Sequence, residues 1–324
     1  MSYLTLFRTH VWDASIAAAA ERARTLARSG EFVVAVDETN ETLAVEGFAV
    51  LRHTSDFSAL GLPSIPVGQT LWWNGDYVLY AARQAFPHFD HYVMIEFDVF
   101  LNCAVDDVLT GAKARGADLV AHDLKRIGAD SRWYSTISEF SATPLWAFLP
   151  FVAVSGRAID AMLGRRLDLA GRCANGTMQG WPYCETFVPT AIVQKSGMQF
   201  APLGDFIDAG KLRYRPFLSV RDPGLSVPNS VAHPVLAGVR FIQATIANTS
   251  AAALFQPDGC LTQELQHEDP IQLRTELGAP LRERNRPEGP TSFAASGCLA
   301  SAAAGGRRGI PDRPAGLARR RAFR

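Results

Sequence analysis

Two carboxylates one residue apart close an apolar run, Tyr92-Val93-Met94-Ile95-Glu96-Phe97-Asp98-Val99. A run of this length, rich in β-branched and aromatic residues, reads as a strand buried on both faces of a sheet. Ionised Glu and Asp are costly in such a place unless they meet a cation or several donors. Side chains alternate along a strand, so Glu96 and Asp98 are expected to leave on one side. Ligands bind where strands exit an open α/β sheet. Two hard oxygen donors there suit Mg²⁺ or Mn²⁺, each of which also holds phosphates. The plainer reading is a strand end whose acids face water.

Other residues carry similar double readings. His233, in Val231-Ala232-His233-Pro234-Val235, offers an imidazole that Mn²⁺ accepts more readily than Mg²⁺, or is a loop histidine held by a carbonyl. Glu185, in Trp181-Pro182-Tyr183-Cys184-Glu185-Thr186-Phe187, enters an apolar segment, where solubility does not call for an acid. A helix N-terminal acid favoured by the macrodipole is the alternative. Asp37 and Asp76 can accept from the ring N–H and hydroxyl groups of a nucleoside, or form a strand-end turn and a helix cap. Asn74 is a second possible cap. Arg8 can meet a phosphate as a charge-assisted donor, or form a surface ion pair. Trp181 and Tyr183 could stack on sugar rings, whereas Trp72 and Trp73 read as packing residues. His122-Asp123 reads as a turn.

The elements that must position these groups follow from periodicity and punctuation. Tyr3 to Phe7 predicts a first strand leading into Arg8-Thr9-His10, and Ile16 to Arg28, capped by Asp13 or Ser15 and stopped at Gly30, predicts a helix. Strands follow at Glu31 to Val36 and Gly47 to Leu51. A helix through about Ala85 then precedes the strand that ends at Asp98. This β-α-β-β-α-β order is that of a largely parallel sheet with helices on its faces. Leu119 to Ala121 and Leu149 to Val154 continue the sheet, and a helix follows Ser155-Gly156. No internal repeat of fixed period is present.

The chain has 324 residues, 48% hydrophobic and 20% charged, as for an ordinary globular α/β protein. Its zero formal charge hides an asymmetry. From Ile271 onward there are eleven Arg against four acids, so the body is mildly acidic, which argues against nucleic acid as the main ligand. Two parts are expected: a domain over 1–270, and a basic tail over 271–324 too poor in large apolar residues to order itself. Such a tail could touch an anionic membrane surface. The five cysteines form no C-x-x-C pair, which removes the usual zinc spacings and gives no disulfide framework. No signal peptide is evident, and nowhere do about 18 apolar residues run together. A cytoplasmic setting, with at most peripheral contact to the inner membrane, is the expectation.

The arrangement as a whole resembles the nucleotide-sugar glycosyltransferases of the GT-A fold, over roughly Leu4 to His233. Trp72-Trp73-Asn74-Gly75-Asp76-Tyr77 followed by Val93-Met94-Ile95-Glu96-Phe97-Asp98-Val99 is similar to bacterial uncharacterised proteins related to them. The resemblance implies a GT-A-like, Rossmann-type, mostly parallel sheet with helices on both faces, to which composition adds the disordered C-terminal tail. It also implies metal-dependent sugar transfer, such as hexosyl transfer in polysaccharide biosynthesis, from a nucleotide-sugar donor to a carbohydrate or lipid-linked acceptor. In that frame Asp98 binds Mn²⁺ or Mg²⁺, His233 is an additional metal ligand, and Glu185 is the general base of an inverting enzyme. Glu96 stands where the usual Asp-x-Asp motif has its first Asp, and would hold ribose, a bound water or the sugar. Arg8, Asp37, Asn74 and Asp76 would attend the nucleotide. Three other accounts compete. A nucleotidyltransferase usually has a Gly-rich loop after its first strand, and Arg8-Thr9-His10-Val11-Trp12-Asp13 contains no Gly. A non-catalytic or disabled sugar-nucleotide binder would hold the donor without turnover. A Rossmann oxidoreductase would show an early G-x-G-x-x-G, which is missing.

Overall fold

The computed structural model describes residues 2–248, 256 and 265–284. Its main sheet has seven strands: β1 (Tyr3–Thr9), β2 (Glu31–Asp37), β3 (Ala49–His53), β4 (His91–Glu96), β6 (Leu119–Arg126), β7 (Leu145–Ser155) and β8 (Phe200–Pro202). Their order is β3-β2-β1-β4-β7-β6-β8. Only β7 runs against the others: it pairs antiparallel with β4 and β6, while the remaining pairs are parallel. This is the mostly parallel sheet expected from the sequence. A smaller sheet, β5-β11-β9, joins Phe100–Asn102 (β5), Asp208–Leu212 (β9) and Ser230–His233 (β11). Leu218–Ser219 (β10) pairs with Val235–Leu236 (β12).

Both faces of the main sheet are covered, which is why its central strands read as continuous apolar runs. Leu4, Leu6, Val33, Ala35, Tyr92 and Met94 face a core completed by α3 (Tyr77–Ala85), α6 (Gly156–Ala174) and α7 (Cys184–Val193). Tyr3, Phe7, Val34, Val36, Val93 and Ile95 face the other way, toward α1 (Ala14–Leu26) and α4 (Val105–Ala114). Asp13 caps α1 by accepting from the amides of Ser15 and Ile16, and the Ser155 hydroxyl caps α6 at Ala158. Two short helices, α2 (Thr70–Trp73) and α5 (Tyr134–Ile137), and the longer α8 (Gly238–Asn248) complete this part.

A helix, α9 (Pro270–Arg284), begins where the sequence placed the tail. Asp269 accepts from the amides of Ile271 and Gln272, and a Pro in the first turn suits a helix start. Leu273 packs on a small cluster with Leu265, Phe241 and Ile242, so order continues past position 270. Residues 285–324, the rest of the expected tail, lie outside the described residues. Residues 1–277 form one compact unit. Among the described residues no helix is long and apolar enough to cross a membrane.

Candidate active site

The carboxyl ends of four adjacent parallel strands form one edge. Register places Asp37 beside His53 and Arg8 beside Glu96. Strand β4 ends at Glu96, and Phe97-Asp98 belong to a turn closed by the Val99 amide on the Glu96 carbonyl, 2.9 Å. Strand alternation is therefore not what aims Glu96 and Asp98; the turn brings them to the same place.

The smaller sheet supplies the third group. Strand β11 runs antiparallel to β5, pairing Ala232 with Phe100, and the Val235 amide donates to the Asp98 carbonyl at 2.7 Å. That register sets His233 against the Asp98 turn. Its Nε2 stands 3.3 Å from Asp98 Oδ1 and 4.0 Å from Glu96 Oε2. Its Nδ1 lies 2.9 Å from the Arg213 carbonyl. That bond fixes the ring with Nε2 facing the acids, the orientation that second-shell bonding gives a metal-binding histidine.

One ligand atom from each of Glu96, Asp98 and His233 lies within 4.8 Å of the others. Asp98 Oδ1 is buried, and the group facing it is the His233 imidazole at 3.3 Å. Two carboxylates and an imidazole turned to one largely buried point need a proton or a cation between them, and their oxygen and nitrogen donors fit a divalent ion. Burial by itself would lower the His233 pKa, but the two acids outweigh it and push it up to about 9. Burial raises Glu96, and the Arg8 guanidinium opposes this.

Arg8 is anchored from two sides. Its Nη1 lies 3.1 Å from Glu96 Oε1 and its Nη2 donates to the Leu71 carbonyl at 2.5 Å. A Cβ on Gly75 would come within 2.9 Å of that Nη1 and would push the guanidinium aside. Asp37 sits half-buried on the same edge, its Oδ1 turned back onto the Thr39 amide at 2.9 Å. Burial, then the Arg8 charge, lowers the pKa of both His10 and His53. The edge therefore presents neutral imidazoles beside an acid, a surface able to give and take hydrogen bonds with a nucleoside.

Glu185 occupies the first turn of α7 and is 5% exposed. Trp146 Nε1 donates to its Oε2 at 3.1 Å, and the Tyr214 hydroxyl donates to the same oxygen. Burial pushes its pKa from 4.5 up to about 8, despite the Tyr214 hydrogen bond; the Glu96 charge adds to the rise. Tyr214 packs on Phe148 at 4.4 Å between ring centroids, and Phe148 meets the His233 ring at 5.3 Å. That chain of contacts ties Glu185 to the metal-ligand cluster. A folded-state pKa above the unfolded one means that the native state holds a proton which the unfolded chain releases. Its stabilising contribution is complete below about pH 4.5 and is lost as pH rises through about 8. Glu185→Gln is expected to flatten the fall in stability across that window, read from urea midpoints. Parallel curves for parent and variant would contradict the assignment.

Not every residue predicted from sequence joins this group. The Asp76 side chain is fully buried: its oxygens accept from Arg166 at 2.9 and 3.0 Å and from the Tyr80 hydroxyl at 2.6 Å. With both oxygens committed, it holds the fold together and is not available to a nucleotide. Asn74 is also fully buried, accepting from Trp181 Nε1 at 2.7 Å and donating to the Ile65 and Thr70 carbonyls. Trp181 is 5% exposed and Tyr183 3%, so neither presents an open face to a sugar. Trp72, expected to pack, is 51% exposed. His122-Asp123 lies within β6 at a register shift, with Asp123 at φ 54° paired to Lys125 at 2.7 Å.

Sequence reasoning passed over Tyr214, Trp146, Trp133 and the roles of His10 and His53. Tyr214 and Trp146 reach Glu185 only through the tertiary fold. His53 was legible as the polar end of a strand parallel to Asp37.

No protein-family model matches this chain, and no characterised relative matches it. Among solved structures, mouse xyloside xylosyltransferase 1 is similar with a TM-score of 0.39 and 11% identity, over 72% of this chain and 97% of that one. Glucosyl-3-phosphoglycerate synthase from Mycobacterium tuberculosis, solved with Mn²⁺, UDP-glucose and phosphoglyceric acid, gives 0.33 and 12%, over 62% and 69%. A putative glucose-1-phosphate thymidylyltransferase from Bacillus anthracis gives 0.36 and 7%, over 62% and 86%. Likeness of this degree carries no weight for function, which rests on the side chains described above.

Proposed function

We propose that the chain is a metal-dependent glycosyltransferase that moves a sugar, of hexosyl or related type, from a nucleotide donor to a hydroxyl of a glycan or lipid-linked acceptor. The observation that carries this reading is the convergence of Asp98, Glu96 and His233 Nε2 within 4.8 Å at the strand-exit edge. Asp98 and His233 would hold Mn²⁺ or Mg²⁺. When bound, such an ion supplies the positive charge that a departing nucleoside diphosphate needs. Glu96, fixed by Arg8, would receive ribose, a bound water or the donor sugar. Asp37, with the neighbouring imidazoles, would attend the nucleoside. Glu185 would take the proton of the attacking hydroxyl, oriented by Trp146 and Tyr214, in an inverting reaction. A mildly acidic body and a soluble nucleotide substrate fit a cytoplasmic setting, with acceptors of the cell envelope.

The test is a thermal-shift screen of nucleotide sugars with and without Mn²⁺, on the parent and on Asp98→Asn. The substitution keeps the size and removes the charge. Ligand stabilisation follows mass action, so the parent should gain melting temperature with its donor only when the ion is present, and Asp98→Asn should lose that gain while remaining folded. A variant that binds nucleotide with unchanged Mn²⁺ dependence would refute the metal assignment.

A further inference from the structure

Four aromatic rings meet beside Glu185, and only one of them is open. Trp133 and Tyr183 stack at 4.3 Å with a 17° angle, and the Arg132 guanidinium stands 4.4 Å from the centre of the Trp133 ring. Trp73 packs against both at 5.6 and 5.4 Å and donates its Nε1 to the Trp181 carbonyl at 3.0 Å. Trp72 rests on the assembly, 5.1 Å from Tyr183 and 5.9 Å from Trp133, yet remains half exposed. Its rigid underside and open surface are unlike those of a flexible surface residue.

The position of Trp72 ties it to both halves of the site. The carbonyl of its neighbour Leu71 holds Arg8, which holds Glu96. Its own carbonyl lies 4.0 Å from Cys184 Sγ, one residue before Glu185. Trp72 thus lies on the ring of Tyr183, two residues before Glu185, and follows the residue that holds Arg8.

The chemistry of the surroundings narrows the occupant. An indole face is the negative side of a quadrupole, and the C–H face of a pyranose is apolar and weakly positive. The charges of Glu185 and Glu96 reach Tyr183, the ring on which Trp72 packs, and they disfavour an anionic ligand at that place. We infer that Trp72 is the stacking platform for a neutral pyranose ring of the acceptor, set so that a hydroxyl of that ring reaches Glu185. This names the acceptor class for the glycosyltransferase reading and rests on it, but the stacking is measurable by itself.

Saturation-transfer NMR on the full chain, with a panel of neutral methyl hexopyranosides as probes and UDP and Mn²⁺ present, tests it. The parent should transfer saturation chiefly to ring C–H protons on one face of a bound glycoside. Trp72→Ala should weaken glycoside binding about tenfold, the scale of one aromatic contact, and Trp72→Phe should retain most of it. The Mn²⁺-dependent affinity for UDP should be the same in all three. Glycoside binding that survives Trp72→Ala unchanged overturns the inference, as does a parent that transfers saturation to none of the probes. If UDP and Mn²⁺ fail to bind while the Trp72-dependent glycoside signal persists, the saccharide platform stands and the donor reading falls.

Discussion

Replacing Glu185 by Gln is expected to lower sugar transfer by roughly two to four orders of magnitude, the usual scale of general-base assistance. Donor affinity should be nearly unchanged, because the donor is assigned to the Asp98 edge and the strand ends around Asp37. The amide keeps the shape and can still meet Trp146 and Tyr214, so the loss isolates the proton-accepting role from packing. In the parent, transfer should rise with pH and level off above about 8, where the carboxyl ionises. The paired measurement is donor binding by calorimetry and product formation with a matched acceptor. A variant that transfers at the parental rate removes Glu185 from the mechanism. A parent that binds donor tightly and transfers to no acceptor belongs with the non-catalytic binders.

A comparable effect, on stability instead of chemistry, is expected at Arg166. This side chain is wholly buried, bidentate to Asp76, and lies 3.8 Å from the centre of the Phe187 ring. Removing one partner of a buried pair strands the other charge, at a cost of about 3–5 kcal/mol. Arg166→Ala should therefore lose stability on that scale in urea unfolding. The paired replacement Arg166→Met with Asp76→Leu should recover most of the loss, since neither charge is then left unpaired. Its folded form should still bind nucleotide. A stable Asp76 variant that has lost nucleotide binding would return that residue to the ligand site.

Asp76 marks the limit of what the sequence made legible. Its place before a helix was readable, but the partner that claims it lies on another helix ninety positions away, and no local pattern announces such a pair. The strands themselves were readable because the sheet is buried on both faces and its apolar runs are uninterrupted. Leu145–Ser155 was seen only in part, since Trp146 and Pro150 interrupt the usual pattern of β-branched residues. Glu96, Asp98 and His233 were readable because acids and a histidine in apolar settings stand out as chemistry. The hydrogen-bonding partners that set Glu185 were not, because Tyr214 sits in a connection with no periodic signature. Trp72 does pack, on Trp133 and Tyr183, but its half-exposed face was not readable, because exposure of a tryptophan depends on which of its neighbours fill the space first.

The Val235–Asp98 and β5–β11 pairings have a consequence for how the protein is made. The last strand of the main sheet ends at Pro202, whereas the imidazole beside Asp98 arrives with β11. During synthesis the central sheet can close before His233 has left the ribosome. Contacts between distant parts of a chain form late because loop closure must precede them. A nascent or prematurely ended chain that stops short of β11 would thus display the main sheet without the imidazole that faces Asp98. The three-residue cluster would be completed abruptly, with a single short strand.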